Sequence, residues 1–386
     1  MFDPELHESY DVALLGGGLQ NGLLLLFLLE RQPGARVALV EAESRLGGCH
    51  TWSFHDSDVP KGVEGLLDPL VEHRWPSYRV MFPGLERELV GGYGSFSGES
   101  LDRVVQAKAK TAPGVKLCLG CRVERVEAGE VALEDGRRIR AGLIVDSRGP
   151  DAYGMAGRPA YQKFLGLEVG LKKPHGMRGP ILMDARVGQE EGYRFVYVLP
   201  LDDRRLLVED TYFSDTPDVC RETLRGRVLA YCADEGFEVG EVFKEEVGVL
   251  PLPCRDLELK AGTGCLRGGY GGGWFHPTTG YSFPCAVRFA DEVSRRVVEK
   301  ASPEGLRRLE REHRRQFRFG VLLNRLFFEG YRPELRWKVM ARFYRLPQST
   351  IERFYALQMK WIDRCRILGG VPPPGFSLRG VLSGVR

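Results

Sequence analysis

Apolar residues open the chain in the order strand, turn and helix that builds a parallel sheet. Val12 to Leu15 predict a short buried strand, and after a glycine-rich turn the run from Leu23 to Leu29 predicts a buried helix. The segment "ARVALVEAES" then predicts a second strand that ends in an acidic residue. This βαβ order indicates an α/β fold with a Rossmann-like domain.

The pattern changes twice further along the chain. "SFSGESLDRVVQAKAKTAP" predicts a helix capped by Ser97 or Ser100, and "GYRFVYVLPLDDRRLLVEDTYF" predicts a hairpin that turns at Asp202–Asp203. From Pro303 onward, apolar residues at helical spacing alternate with arginines. We therefore expect a discontinuous nucleotide-binding domain (1–160 with 261–300), a strand-rich substrate domain with an α+β character (161–260) and a helical C-terminal region (301–386).

The turn "GGGLQNG" lies between the first strand and the first helix, where a dinucleotide-binding turn belongs. Gly16 permits the tight turn, and Gly18 lets a pyrophosphate approach the backbone at the helix N-terminus. The third glycine of the usual motif is displaced, since Asn21 stands there and Gly22 follows. Glu41 ends the second strand 23 residues beyond Gly18, in position to accept a hydrogen bond from a ribose hydroxyl.

Three later segments decide between NAD and FAD. They are the pair Gly47–Gly48 after the second strand, the strand end "IVDSRG" (144–149), and the turn "FHPTTGYS" (275–282) before a predicted helix. Each segment alone is better explained as an ordinary loop. Their order along one chain favours FAD, whose long binding region needs several such turns.

The strand "RLLVEDTYF" (205–213) carries two acidic residues in its middle. Asp and Glu are depleted in strands, and a buried carboxylate is costly unless it is paired or protonated. Alternate residues of a strand share a face, so Glu209 points with Leu207 and Thr211 while Asp210 points the opposite way. The pattern alone leaves two interpretations open: a salt-bridged pair on an edge strand, or one carboxyl in a pocket held by the other from behind.

Composition limits the class of protein. The net charge of +3 conceals a basic C-terminal part, with 22 Lys and Arg against 10 Asp and Glu from Ala286 to the end. Such a part can contact anionic lipid or nucleic acid, or form a solvated helix face. Nine cysteines without framework spacing indicate a reducing cytoplasm, and the seven histidines show no metal-binding spacing. No early apolar run is long enough to span a bilayer, so we expect no integral membrane protein.

Several blocks together resemble the bacterial lycopene β-cyclases of carotenoid synthesis. These blocks are "GGCHTWSFH", "HGMRGPILMDA", "GYRFVYVLPL", "RLLVEDTYF", "FHPTTGYSFP" and "RFYRLP…RFYALQMKWIDRCRILGGVPPP". The resemblance runs from about Tyr10 to Pro374, with Cys49 where the family usually has Asn. It implies a fold of the hydroxybenzoate-hydroxylase type, bound FAD that is active when reduced, and NADPH as reductant.

The resemblance also implies a site and its partners. Glu209 matches the family's essential acid, and Asp210 is expected to hold the strand or tune Glu209. His50 and His276 lie in family blocks near the flavin. The predicted cofactor contacts are Gly16, Gly17, Gly18, Leu19, Asn21, Gly22, Glu41, Gly47, Gly48, His50, Asp146, Arg148, Gly149, His276, Pro277, Thr278, Gly280 and Tyr281.

The expected substrates are lycopene and other acyclic carotenoids, whose linear ends are closed to β-rings without net redox change. We expect a cytoplasmic protein docked peripherally on an anionic membrane surface, with no nucleic acid partner and no metal. Two alternatives remain at this stage. One is an FAD-dependent monooxygenase or desaturase, which consumes oxygen or electrons. The other is a carotenoid carrier, which returns its ligand unchanged.

Overall fold

The structure is a computed structural model that describes residues 9–149, 159–257, 264–299 and 304–383. Its strands are, in chain order, β1 (Ser9–Leu15), β2 (Val37–Glu41), β3 (Thr51–His55), β4 (His73–Phe82), β5 (Leu85–Ser97), β6 (Val115–Leu119), β7 (Val123–Glu127), β8 (Glu130–Leu133), β9 (Arg138–Asp146), β10 (Ala160–Leu171), β11 (Ile181–Asp184), β12 (Tyr193–Asp202), β13 (Arg205–Ser214), β14 (Val239–Leu252) and β15 (Leu266–Arg267). Its helices are α1 (Leu19–Arg31), α2 (Glu64–Leu67), α3 (Gly98–Lys110), α4 (Arg221–Asp234), α5 (Phe283–Glu299), α6 (Glu304–Phe328), α7 (Arg336–Phe343), α8 (Gln348–Tyr355), α9 (Trp361–Leu368) and α10 (Leu378–Ser383).

The first sheet has the strand order β6-β2-β1-β9-β8-β7, with β15 added to β9. Strands β6, β2, β1, β9 and β15 are parallel to one another, whereas β8 pairs antiparallel with both β9 and β7. Buried strands β1 and β2 are joined by α1, whose leucines pack against α5 and α3. The predicted βαβ opening is therefore present, and parallel strand ends meet at one edge of the sheet.

The second sheet has the order β14-β10-β13-β12-β11-β4-β5-β3. One face, which we call the outer face, packs on α4 through residues such as Val196, Val208 and Val228. The opposite face, which we call the cavity face, carries Leu207, Phe195 and Phe213 toward the main core. Because side chains of a strand alternate, each face of β13 receives one of its two acidic residues.

Local predictions can be compared with the observed elements. Ser97 caps α3, since its hydroxyl oxygen accepts from the Ser100 N–H at 3.1 Å. The hairpin of β12 and β13 turns one residue later than predicted, at 203–204, because Asp202 still pairs with Arg205. The sequence places Leu306, Leu309, His313, Phe317, Val321, Asn324 and Phe328 on one stripe of α6. Its last five members are buried, while Leu306 and Leu309 are half-buried.

The predicted domain division stays a prediction. Strands β3, β4 and β5 lie within the predicted nucleotide-binding segment 1–160, yet they pair into the second sheet. A division of the chain at residue 160 therefore does not separate the two sheets. The predicted boundaries near residues 260 and 300 fall outside the described residues.

Candidate active site

A cavity of about 810 Å³ is lined by residues of both sheets, and we call it the central cavity. At one end it is bounded by the turn between β1 and α1, the end of β2 and the segment after β9. The second sheet supplies its other wall from β10, β12, β13 and β14, with Phe164, Phe195, Tyr197, Leu207, Glu209, Phe213 and Glu246. A cofactor on the first sheet and a substrate on the second would therefore share one space.

The turn between β1 and α1 fits a pyrophosphate. Gly16 has φ +90°, and a Cβ there would lie 3.1 Å from the Ser147 carbonyl oxygen. Gly18 precedes α1, whose first turn has no acidic residue and no capping side chain among the described residues. The N–H groups at this helix end are thus available, with the positive end of the helix dipole, to an anion in the central cavity.

Glu41 lines the cavity beside this turn. Its Oε2 accepts from the Gly17 N–H at 2.6 Å, and its Oε1 accepts from the Glu43 N–H at 2.8 Å. These bonds fix the carboxylate, and each oxygen retains a lone pair for a ribose hydroxyl. Arg45 also lines the cavity and carries positive charge that attracts phosphate, whereas the cavity-lining Arg148 donates to both oxygens of Asp146, at 2.9 and 2.7 Å. The donor set therefore fits the FAD predicted from the sequence.

Of the predicted cofactor contacts, eleven lie on the cavity wall: Gly16, Gly18, Leu19, Glu41, Gly47, Gly48, His50, Arg148, Gly149, Gly280 and Tyr281. Seven do not reach it: Gly17, Asn21, Gly22, Asp146, His276, Pro277 and Thr278. The structure thus brings the turn after β1 and the three later glycine-containing segments to one cavity. Direct contact of each residue with a cofactor stays a prediction.

Residues behind the turn hold it in shape. Asn21 Nδ2 donates to the carbonyl oxygens of Leu15 and Gly16 at 2.9 and 2.8 Å, and Asn21 Oδ1 accepts from the Ser147 hydroxyl at 3.0 Å. A Cβ at Gly22 would lie 2.9 Å from a Leu101 methyl, so this glycine permits the close approach of α1 and α3. Asn21 stands at the usual glycine position because its side chain hydrogen-bonds the turn, and Gly22 is a glycine because α1 and α3 pack closely there.

The loop before α5 is fixed in a similar way. His276 is fully buried, its Nε2 lies 2.9 Å from the Phe354 carbonyl oxygen, and its Nδ1 accepts from the Thr278 N–H at 3.2 Å. Burial lowers the pKa of His276 to about 3, so the imidazole is neutral. Pro277 packs toward Gly320 of α6. These residues tie the loop to the C-terminal helices, while Gly280 and Tyr281 reach the cavity.

Glu209 lies on the cavity face of β13, opposite Tyr197 of β12 and Gly166 of β10. Its Oε1 accepts from the Thr211 hydroxyl at 2.6 Å. None of the described Lys, Arg and His side chains forms an ion pair with it. Burial raises the pKa of Glu209 to about 8, opposed by the Thr211 hydrogen bond and reinforced by the nearby charge of Glu246. The carboxyl thus holds its proton at neutral pH, and its partly exposed surface faces the cavity.

Asp210 points to the outer face and is fully buried there. Its Oδ1 accepts from Arg194 Nε at 2.8 Å, and its Oδ2 accepts from the Tyr212 hydroxyl at 2.8 Å. Arg227 in turn donates to the Tyr212 oxygen at 2.6 Å. Burial raises the pKa of Asp210, and the ion pair with Arg194 opposes that shift. The two acids of β13 therefore have separate environments and form no dyad.

The sequence did not identify the side chains around Glu209. Tyr197, Tyr93 and Ser53 form a hydroxyl cluster on the cavity wall, with Tyr197 Oη 2.8 Å from Ser53 Oγ and 3.1 Å from Tyr93 Oη. The alternation of Tyr193, Phe195 and Tyr197 was a local signal for one shared face. Glu246 had no such signal, because it reaches the site only through the register of β14 with β10.

The C-terminal helices expose apolar residues. Trp361 and Leu368 lie two turns apart on α9, and Val371 follows; they are 72%, 46% and 87% exposed. We call these three residues the C-terminal apolar patch. Between residues 345 and 379, the exposed basic residues are Arg345, Lys360, Arg366 and Arg379. Within the described residues, no helix has the length and apolar character needed to span a bilayer.

Comparison with a solved structure bears on the fold. The p-nitrophenol 4-monooxygenase of Pseudomonas putida superposes with a TM-score of 0.66, covering 91% of this chain and 99% of that protein at 16% identity. The predicted fold class, a Rossmann-like domain of the flavin monooxygenase type with a strand-rich second part, is confirmed. At this identity the likeness concerns the fold alone.

Comparison of sequences extends over nearly the whole chain. The lycopene cyclase protein family matches residues 11–378. A lycopene beta-cyclase of Pseudescherichia vulneris is 42% identical over 368 residues, which cover 94% of each chain. A lycopene beta-cyclase of Pantoea ananas is 39% identical, covering 95% of this chain and 96% of that protein. The predicted resemblance is confirmed, and the chain belongs to the lycopene cyclase family of enzymes.

Proposed function

We propose that this protein closes the linear ends of lycopene to β-rings, giving β-carotene by way of the one-ringed γ-carotene. One observation carries the proposal: a carboxyl that holds its proton at neutral pH, Glu209, lies in the same cavity as a dinucleotide-binding turn. The named relatives among the lycopene beta-cyclases support the substrate class. The reaction rearranges bonds without net redox change, so product and substrate are isomers.

Glu209 is the proposed acid. An alkene is a very weak base, so its protonation needs an acid that is protonated and desolvated when it acts. Glu209 would deliver its proton to the terminal alkene carbon, which leaves a tertiary cation. The internal double bond then attacks this cation and closes the six-membered ring.

The side chains around Glu209 can stabilise a carbocation intermediate and keep water away from it. Leu207, Phe195 and Phe213 line the cavity beside the carboxyl and exclude water, which would otherwise add to the cation. The faces of Phe195 and Phe213 carry negative electrostatic potential and can stabilise positive charge near them. Phe213 lies edge-on to Phe195 with ring centroids 5.8 Å apart, so the two rings fix each other. The aromatic wall therefore favours ring closure over capture by water.

The cofactor we propose is FAD in its reduced form, with NADPH only as the source of electrons. Gly16, Gly18 and the N-terminus of α1 would hold the pyrophosphate, and Glu41 the ribose. When bound, reduced flavin supplies negative charge that lowers the energy of the cation. Dithionite-reduced FAD should support turnover without nicotinamide, whereas oxidised FAD alone should not. Glu41→Arg should weaken flavin retention, since it removes the ribose acceptor.

We infer that the C-terminal apolar patch docks the protein on an anionic bilayer, where its substrate dissolves. Exposed Trp361 and Val371 are unfavourable in water, and nearby basic residues each contribute about 1 kcal/mol at an anionic surface. Co-sedimentation with anionic liposomes should fall as salt rises, because ionic screening weakens that attraction. Trp361→Ser should weaken docking, whereas Phe243→Ser, at an exposed aromatic of β14, should not. Equal binding to neutral and anionic liposomes at every salt level rejects the electrostatic part.

The function is tested by anaerobic incubation with lycopene in liposomes, FAD and NADPH, with pigments separated by chromatography. We expect γ-carotene first and β-carotene later, both with the mass of lycopene. In deuterated buffer, one deuterium should enter each ring at the carbon derived from the terminal alkene. Oxygenated or desaturated products would instead indicate a monooxygenase or desaturase, and unchanged lycopene would indicate a carrier.

A further inference from the structure

Two glutamates face the central cavity from strands on either side of β10. Gly166 of β10 pairs with Glu209 of β13 on one side and with Glu246 of β14 on the other. Directly opposed residues of neighbouring strands share a face, so both carboxyl groups stand on the cavity face. Two strand spacings place their backbones about 10 Å apart. Both side chains line the cavity.

Glycine at position 166 leaves the space between the two carboxyl groups open. An added Cβ there would meet Leu207 at 3.4 Å and the Glu209 side chain at 3.6 Å. Any larger side chain at this position would stand between the two acids. The gap is therefore a place where a ring can lie against both side chains.

The surroundings of the two acids differ. Among the described residues, Glu209 receives one side-chain hydrogen bond, from Thr211, and forms no ion pair. Glu246 has its Oε1 3.1 Å from His50 Nδ1, and the His50 side chain is 63% exposed. A pair of carboxyl groups in unlike environments is the arrangement that separates an acid from a base. The exposed His50 side chain also connects Glu246 to water.

The proposed cyclisation needs such a base. Ring closure leaves positive charge on a ring carbon, and the neutral β-ring forms only when the adjacent carbon that made the new bond loses its proton. Loss of a proton from any other neighbour places the double bond out of conjugation. The position of the base therefore decides which ring is made.

We propose that Glu246, oriented by His50, is the base that removes this ring proton. The inference rests on the proposed cyclase function. Glu209 gives one proton to the terminal alkene carbon, and the new carbon–carbon bond forms. Glu246 takes one proton from the ring, whose electron pair becomes the ring double bond. Glu246 releases its proton to water by way of His50, and Glu209 regains one from water, so protons and electrons balance.

The neighbouring residue provides a matched control. Glu245 precedes Glu246 on β14 and pairs with Leu167, so it points to the outer face. There its carboxylate forms an ion pair with Arg225 of α4 at 2.7 Å. The variants Glu246→Gln and Glu245→Gln make the same chemical change on opposite faces of one strand. Glu246→Asp keeps a carboxylate on the cavity face.

The experiment compares the pigments formed by the full-length flavoprotein and its variants from lycopene in liposomes under anaerobic conditions. Glu246→Gln should yield neutral cyclic products roughly 10²-fold more slowly, because the base acts after ring closure. Its products should keep the mass of lycopene but absorb at shorter wavelength, because the ring double bond leaves conjugation. Glu246→Asp should restore β-rings, and Glu245→Gln should match the wild type. Flavin and lycopene binding are measured for every variant.

Two results would overturn the proposal. The first is β-ring formation by Glu246→Gln at the wild-type rate. The second is a variant that binds flavin and lycopene but forms no ring of any kind, since a base acts after ring closure. If Glu246→Gln loses flavin, the test is made with Glu246→Asp instead. Formation of β-rings by Glu246→Asp supports Glu246 as the base, and rings with a displaced double bond contradict it. A wild-type protein that forms no rings would instead reject the proposed function.

Discussion

On the outer face of the second sheet, the carboxylates of Asp210 and Asp184 are paired with arginines. On the cavity face, Glu209 and Glu246 have no arginine partner among the described residues. Asp210 and Asp184 each accept from an arginine and from a tyrosine hydroxyl. Glu209, one residue away from Asp210, accepts a side-chain hydrogen bond only from the Thr211 hydroxyl among the residues that the structure describes. Strand β14 repeats the contrast, because outward Glu245 has an arginine while inward Glu246 has a histidine.

This difference separates two roles of acidic residues in the sheet, a structural one and a proposed catalytic one. A buried carboxylate with an arginine and a hydroxyl as donors holds neighbouring elements together, here β12, β13 and α4. A carboxyl left without a cation takes up a proton instead, at some cost to stability, and becomes an acid at neutral pH. The same sheet thus carries its structural ion pairs on one side and its proposed chemistry on the other.

The largest effect is expected from Glu209→Gln. The amide has the same shape but cannot give a proton, so cyclisation should fall by roughly 10²- to 10⁴-fold, the range for a lost general acid. Flavin and lycopene binding should persist, because the side chain has no structural ion pair. Turnover of liposomal lycopene and flavin absorbance measure the two properties. Full activity in this variant would place the acid elsewhere.

Asp210→Asn should have the opposite effect: it should lower stability and leave the chemistry of the folded protein intact. It leaves Arg194 buried without its counter-charge, and breaking a buried pair in this way costs about 3–5 kcal/mol. The free energy of unfolding in urea should drop by that amount, while the protein that remains folded should keep its pH profile. If Asp210→Asn instead matches the wild type in stability but loses the chemistry, the two faces do not divide the roles as described.

The pH dependence follows from Glu209. The protonated carboxyl is the active form, so kcat/KM should be level below about pH 8 and fall about tenfold per unit above it. The contribution of Glu209 to the free energy of unfolding also falls as pH rises. The folded pKa of about 8 exceeds the ordinary 4.5, so the stability that this group contributes is full below pH 4.5 and is lost as pH rises toward 8. Glu209→Gln, compared with the wild type, should therefore gain relative stability between pH 5 and pH 8. A level rate through pH 9 would contradict this assignment.

Local patterns foretold some of this arrangement but not all of it. The alternation of "RLLVEDTYF" was enough to place Glu209 and Asp210 on opposite faces, because strand period is a local property. The pairing of Gly166 with both Glu209 and Glu246 joins segments far apart in sequence, and no single segment specifies that register. The joining of β3, β4 and β5 to the second sheet escaped prediction for the same reason.

The smallest effects should come from two hydroxyl deletions on neighbouring residues of β13. The Thr211 hydrogen bond lowers the pKa of Glu209, so Thr211→Val should raise that pKa further. One hydrogen bond contributes about 0.5–1.5 kcal/mol, so the alkaline limb of kcat/KM should move to higher pH by at most about one unit. Tyr212→Phe removes a donor to Asp210 on the outer face, so it should lower the free energy of unfolding by about 1 kcal/mol and leave the pH profile unmoved. Rate profiles from pH 6 to 10 and urea unfolding of both variants check the pair. A shifted pH profile of kcat/KM in Tyr212→Phe would show that the two faces are coupled through the strand. An unshifted pH profile in Thr211→Val would show that a group other than Glu209 determines the fall in rate at high pH.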